Sequence, residues 1–321
     1  MTEHSYNSPR WLPGGHLQTI FPAVARRPEP LRYRRERWDT PDGDFIDLDW
    51  VDGSPHAPLV VLFHGLEGSS ASHYALALMR HAHRLGWRGV VPHFRGCSGE
   101  LNRLPRAYHA GDSAEVDWIL RRLRAQSGDV PIFAAGVSLG GNMLLKWSGE
   151  QASHAQSIVS AVAGISVPLD LAVAGIALDA GLSRHIYTRN FLQTLRHKAL
   201  QKLACFPHLA DRKRILMART FSQFDDAFTA PIHGFRDKDD YWQQASSKPW
   251  LKQVKVPALV LNARNDPFLP AHALPARHEV ASVVQTEYPE HGGHVGFLSG
   301  EFPGHLDWLP HRLELHFRRF L

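Results

Sequence analysis

The chain has 321 residues, 44% of them apolar and 21% charged, with 16 Phe and 9 Trp; this supplies a sizeable core and excludes a largely disordered chain. The balance is mildly basic, 36 Lys and Arg against 31 Asp and Glu, a formal net charge of +5. Much of the excess lies in Arg26, Arg27, Arg32, Arg34, Arg35 and Arg37, and no zinc-knuckle, RNP-type or helix-turn-helix signature accompanies that run. It reads as a solvated face around an early strand, and no nucleic-acid partner is expected.

Cys97 and Cys205 make no disulfide framework and fit a reducing, cytoplasmic setting. The opening residues, MTEHSYNSPRWLPGGHLQ, carry no apolar h-region, so no signal peptide is expected. Two stretches then read as strands, Tyr33–Asp39 and Phe45–Val51, with Pro41-Asp42-Gly43 as the hairpin turn between them. The continuous apolar run Leu59–Gly65 predicts a strand buried on both faces. Helix is predicted over roughly Ser72–Leu85, strand over Arg88–Gly96 and helix over Asp112–Ala125, where Val116, Ile119, Leu120 and Leu123 recur at helical spacing. Pro131–Trp147 reads as strand, tight turn and helix, and Ile158–Val167 as the next strand.

Ile158–Leu178 is long enough to cross a bilayer, but Pro168 and Asp170 fall inside it. A buried strand ending at Pro168, followed by an apolar helix, explains the segment better, and no integral membrane segment is expected. Further strands are predicted at Pro257–Ala263 and Ser282–Pro289, and a closing helix at Asp307–Phe320. Strands separated by helices imply βαβ units and a mostly parallel sheet flanked by helices. Between Val167 and Ala258 lie roughly ninety residues without a strand pattern, more than one crossover helix requires. The reading is a core of residues 1–168 and 247–321 with a helical cap, residues 169–246, inserted over the strand ends.

Gly136-Val137-Ser138-Leu139-Gly140 matches G-x-S-x-G. The pentapeptide is weak by itself, but here an apolar strand precedes it and a helix follows, the context in which the serine hydroxyl is lifted above the sheet edge. The amide of Leu139, at the start of that helix, is a candidate oxyanion donor; the second is the amide of Leu66 in His64-Gly65-Leu66-Glu67-Gly68, the loop after an earlier strand. The chain order for such a site is Ser, acid, His. Asp266 follows the strand Pro257–Ala263 and His294 follows the strand ending near Pro289, at the sheet edge that carries Ser138. His291 is the rival base, and Asp237, Asp239 and Asp240 are rival acids. A nucleophilic Cys97 would need a paired base and a lowered pKa, and Asp112 reads as structural. No H-E-x-x-H, paired C-x-x-C or G-x-G-x-x-G after a first strand is present, so neither metal nor cofactor is expected.

These motifs, with PGGHLQTIFP, HGLEGSSASHY, HFRGCSGELNRLPRAYHAGD, GVSLGGNMLLKW, FDDAFTAP, NARNDPF and HGGHVGF in that order, make the chain similar to the YheT-like group of α/β-hydrolases. The resemblance covers nearly the whole chain. It implies the α/β-hydrolase fold, Ser138, Asp266 and His294 as a triad, and hydrolysis of a small-molecule ester, with acyl-lipid or medium-chain esters as the substrate class. Some relatives transfer acyl groups to alcohols; the H-x-x-x-x-D pattern described in some of those is absent. Thioester or C–C hydrolysis would use the same triad, and a non-catalytic binding protein should have lost one of its residues. The apolar run Leu169–Leu182 is expected to line the acyl pocket.

Overall fold

A computed structural model describes residues 5–25 and 28–321. Eight strands form one sheet: β1 (Arg34–Asp39), β2 (Phe45–Val51), β3 (Leu59–Phe63), β4 (Arg88–Pro92), β5 (Ile132–Val137), β6 (Ala161–Ile165), β7 (Ala258–Leu261) and β8 (Val284–Glu287). Their spatial order is β1-β2-β4-β3-β5-β6-β7-β8, antiparallel at the first two pairings and parallel from β4 to β8. The register sets Gly136 beside both Phe63 and Gly164, so the ends of β3, β5 and β6 finish level. β2 coincides with the expected run, and the other strands are shorter than the sequence predicts.

Helices cover both faces. On one lie α2 (His73–Arg84) and the closing helix, whose Leu309, Leu313 and Phe317 pack with Met79, Phe133 and Ala163. On the other lie α3 (Ser113–Ser127) and α4 (Leu139–Gln151), where Leu120, Leu123, Met143, Leu144 and Trp147 pack on Val61, Ala134 and Val162. Fully burying each such side chain contributes about 1.5–3 kcal/mol. The 158–178 stretch is β6 followed by α5 (Leu171–Leu178), and no helix among the described residues is long and apolar enough to cross a membrane.

Helix α1 (Gly15–Ala25) is not foreshadowed by the sequence reading. Gly14 before it, Gly15 at its start and Pro22 within it disguise its period. Arg26 and Arg27 of the basic run lie outside the described residues. Of the others, Arg32 is exposed, Arg35 and Arg37 on β1 pair with Asp49 and Asp47, directly opposite on β2, and Arg34 pairs with Asp52. The run is largely a cross-strand ion-pair ladder.

Residues 169–246 contain helices and no strand: α5, α6 (Arg189–Cys205), α7 (Arg212–Met217) and α8 (Lys238–Ala245), with π-helical stretches at Arg184–Thr188 and Asp225–Thr229. Side-chain caps explain the fragmentation. Asp170, Asp211, Thr220 and Asp237 each accept a hydrogen bond from an amide of the turn they start. Leu192, Leu203, Ile215, Phe224 and Phe228 form a separate small core there. Asn142 on α4 ties this region down: its amide donates to the carbonyls of Ala110 and Ala245, both at 2.8 Å, and accepts from Ser247 N–H at 2.9 Å.

Candidate active site

The turn between β5 and α4 leaves no room for side chains. A Cβ on Gly140 would lie 2.4 Å from the His64 carbonyl oxygen, and one on Gly136 would lie 2.5 Å from that of Gly140. Ser138 adopts φ +52° and ψ −121°, a strained region for a non-glycine residue that costs of order 1–3 kcal/mol. Strand β5 on one side and buried α4 on the other hold it there, with the Ser138 amide bonded to Ile165 O at 2.9 Å. The strain projects the hydroxyl out of the turn.

The structure brings Ser138, His294 and Asp266 together. His294 Nε2 lies 2.9 Å from Ser138 Oγ, and His294 Nδ1 lies 2.9 Å from Asp266 Oδ2. The other carboxylate oxygen accepts from Phe268 N–H at 2.7 Å. A carboxylate accepts only, so the imidazole proton belongs on Nδ1 and Nε2 is left to accept from the serine hydroxyl. The Phe268 ring stacks on the imidazole, centroids 3.8 Å apart, and shields it from water. His294 leads into Val295 at φ +60°, a genuine outlier for a β-branched residue. Val295 is pinned at both ends: its N–H donates to Ser166 Oγ at 3.0 Å, and its carbonyl accepts from His73 Nε2 at 3.2 Å.

Of the four amides Gly65 to Gly68, Gly65 donates to Tyr74 Oη, Glu67 to Tyr108 Oη and Gly68 to the Gly65 carbonyl. Among the described residues the Leu66 amide has no such acceptor, and the Leu139 amide opens α4, where no intrahelical acceptor exists. His64 is a strut: its Nδ1 donates to Gly65 O at 2.8 Å, its Nε2 accepts from Phe94 N–H at 3.1 Å, and burial pushes its pKa down to about 3. Glu67, at φ +55°, accepts from Tyr108 Oη at 2.7 Å and from Lys198 Nζ of α6 at 2.9 Å. Tyr108 lies within the quoted HFRGCSGELNRLPRAYHAGD stretch, but nothing local announces its partnership with Glu67, and nothing local announces Lys198.

The rivals lie elsewhere. His291 is exposed and meets Asn265. Asp237 caps α8, Asp239 pairs with Lys238, and Asp240 pairs with Arg236. Burial pushes the Cys97 thiol up to about 12, the wrong direction for a nucleophile. Asp112 pairs with Arg106 at 2.6 Å. Among the described residues one trio could offer three metal-ligand atoms, His81, His311 and Glu314; Arg318 already holds the other Glu314 oxygen at 2.6 Å, so the carboxylate is neutralised without an ion.

Ser138 opens on a cavity of about 160 Å³ walled by Leu66, Leu171, Ala174, Leu178, Phe191, Phe221 and Phe268. One face of the apolar run 169–182 lines it, while Ile176 and Leu182 on the other face are exposed. Charged groups in the wall are compensated or neutral. Lys198 pairs with Glu67, and Arg95 with Asp42 and Glu115. Lys202 Nζ donates to the Asn102 carbonyl at 3.1 Å and to the Leu104 carbonyl, Asp225 accepts from Trp242 Nε1 and Thr229 Oγ, and burial pushes His233 down to about 3.

Residues 58–301 match the family model of the alpha/beta hydrolase fold. YheT of Escherichia coli (strain K12), which carries an esterase name, is 40% identical over 93% of this chain and 88% of its own. The chain belongs to the YheT-like group of the α/β-hydrolases. Phospholipase ABHD3 of Mus musculus is 32% identical, over 91% of this chain and 73% of its own. Among solved structures, Est1E from Butyrivibrio proteoclasticus matches with a TM-score of 0.55 at 12% identity, covering 90% of this chain and 99% of that one. The Pyrococcus furiosus esterase Pf2001 matches at 0.57 and 15% identity, covering 90% and 91%. At such identities these structures speak for the fold alone, and they agree with the mostly parallel sheet described above.

Proposed function

We propose that this α/β-hydrolase cleaves carboxylic esters through an acyl-enzyme on Ser138. Ester hydrolysis is the activity its esterase and phospholipase relatives are named for. What supports the mechanism here is the unbroken line of two 2.9 Å contacts from Ser138 through His294 to Asp266, opening on an apolar cavity. Ser138 Oγ attacks the ester carbonyl while His294 Nε2 takes its proton. The oxyanion is held by the Leu66 and Leu139 amides; removing one such donor costs about 2.7–4 kcal/mol of barrier. Collapse expels the alcohol, protonated by His294. Water then enters, His294 takes its proton, and the acid is released from Ser138. Asp266 keeps the imidazole in the right tautomer and balances its charge throughout. No step calls for a metal or cofactor.

The acyl group is medium in length. A dry cavity of ~150 Å³ accepts a six-carbon ring, and the charged groups of the largely apolar wall here are already held by ion pairs or hydrogen bonds. Each CH₂ taken from water contributes up to ~0.8 kcal/mol. Glycerophospholipid esters fit this class as well as simple esters do. The test is a panel of p-nitrophenyl esters from about two to sixteen carbons, with Ser138→Ala as control. We expect kcat/KM to rise from acetyl to a broad maximum at about four to ten carbons, since hydrophobic walls discriminate only ~10–200-fold per methylene. A maximum at acetyl would reject the acyl cavity while leaving the triad standing. Wild-type turnover in Ser138→Ala would reject the mechanism.

A further inference from the structure

We propose that Thr19 and Gln18, on helix α1, are positioning residues that hold the general base and its acid partner in register; this rests on the reading of His294 and Asp266 above. Thr19 Oγ donates its proton to the Gly15 carbonyl at 2.7 Å, which turns its lone pair to the backbone N–H of His294 at 2.9 Å. The Gln18 side chain is oriented the same way: Nε2 donates to the Leu12 carbonyl at 2.9 Å, so Oε1 is left as the acceptor. That one oxygen takes two bonds at 2.9 Å, from Gly292 N–H in the base loop and from Asn265 Nδ2 in the acid loop. Asn265 closes the circuit, its Oδ1 accepting from Gly293 N–H at 3.0 Å.

Asn265 immediately precedes Asp266, and Gly292 and Gly293 immediately precede His294. The bonds therefore fall on the backbone that carries each catalytic side chain. Both α1 residues are buried, and the packing is backbone against backbone: a Cβ on Gly15 would sit 1.9 Å from Asn265 O, and one on Gly296 would sit 1.9 Å from Gln18 O. The sheet and its helices are complete without α1, which pairs with no strand. The base loop carries a β-branched residue at φ +60°, so it must be held from outside. Releasing the His294 amide lets the loop relax and moves the imbedded imidazole off the Ser138 hydroxyl; a misplacement of ~1 Å costs about 10²-fold in rate. The acyl cavity shares no residue with this circuit.

Thr19→Val keeps the shape and removes the acceptor; Thr19→Ser keeps the hydroxyl; Gln18→Met removes the bridging oxygen and serves as the second variant if the first does not fold. The readouts are kcat and KM on a p-nitrophenyl ester, the rate constant for fluorophosphonate labelling of Ser138 followed by intact mass, and Tm. Thr19→Val and Gln18→Met should lower kcat and the labelling rate constant together, by roughly 10–100-fold, with KM within about threefold of wild type. Thr19→Ser should restore most of the loss. If the folded variants label Ser138 at the wild-type rate and differ only in Tm, α1 is a structural brace and the proposal is overturned. If the wild-type protein is not labelled at Ser138, the triad reading fails and takes this inference with it.

Discussion

Ser138 and His294 stand 2.9 Å apart but are held by different physics. The serine turn is secured locally: β5 enters it, α4 leaves it, and glycines only a few residues away permit the close approach. The histidine loop is secured from a distance, by Ser166 after β6, His73 on α2, Asn265 after β7 and the pair Gln18 and Thr19 near the start of the chain. One half of the site is written mostly in the consecutive run from β5 to α4, with Ile165 and His64 close beside it, the other in five segments that only the fold assembles. A strained serine thus faces a strained loop, Val295 at φ +60°, through opposite strategies of support.

The largest effect should come from the reacting pair. Ser138→Ala and His294→Ala should each lower ester turnover by about 10⁴–10⁶-fold, and the double variant should be little worse than either single one, because the two act as a unit. Additive losses in kcat would break the pairing. Next comes the acid. Asp266→Asn should lower kcat by about 10⁴-fold, since the amide no longer fixes the tautomer or stabilises the imidazolium, whereas Asp237→Asn and Asp240→Asn should leave kcat within about twofold. Smaller again is the support of the base loop. Ser166→Ala frees the Val295 amide and should cost about 1–3 kcal/mol of stability, read as a lower urea midpoint at unchanged m-value.

The smallest effect lies in the helical residues 169–246. Burial pushes Asp225 up to about 6, while Trp242 Nε1 and Thr229 Oγ donate to its oxygens. With the folded pKa above the ordinary 3.8, the native state binds the extra proton between about pH 4 and 6. The stabilisation from this proton is fully present below about 3.8 and is lost as pH rises through about 6. Asp225→Asn carries no charge and can keep both contacts, its Oδ1 accepting from Trp242 Nε1 and its Nδ2 donating to Thr229 Oγ. Its Tm should therefore exceed that of wild type above about pH 6, with the gap closing as pH falls towards 4. A gap independent of pH would remove Asp225 from the account.

The same contrast governs what was legible in the sequence. The sheet, the serine turn and the chain order of Ser138, Asp266 and His294 could be read because strand runs, glycine spacing and loop position are local signals. The α1 helix could not: its period is broken by Pro22, and its reason for existing is the backbone of Asn265 and Gly296, nearly the whole chain away. PGGHLQT was visible as a motif without a job. Tyr108 and Lys198, which meet at Glu67 beside the Leu66 amide, were hidden for the same reason. The helices of residues 169–246 read as helical, but their breaks depend on caps such as Asp211 and Thr220, single residues that resemble any loop polar group.

In the proposed mechanism Ser138 carries the acyl group. Rapid-quench mass spectrometry of wild-type protein mixed with p-nitrophenyl hexanoate, followed by peptide mapping, tests it directly. We expect a transient hexanoyl adduct on the peptide containing Ser138, formed in a burst and lost as turnover proceeds, and accumulating when deacylation is slowed. Steady turnover without an adduct on that peptide, or an adduct that maps to Cys97 or another residue and is chemically competent, would contradict it.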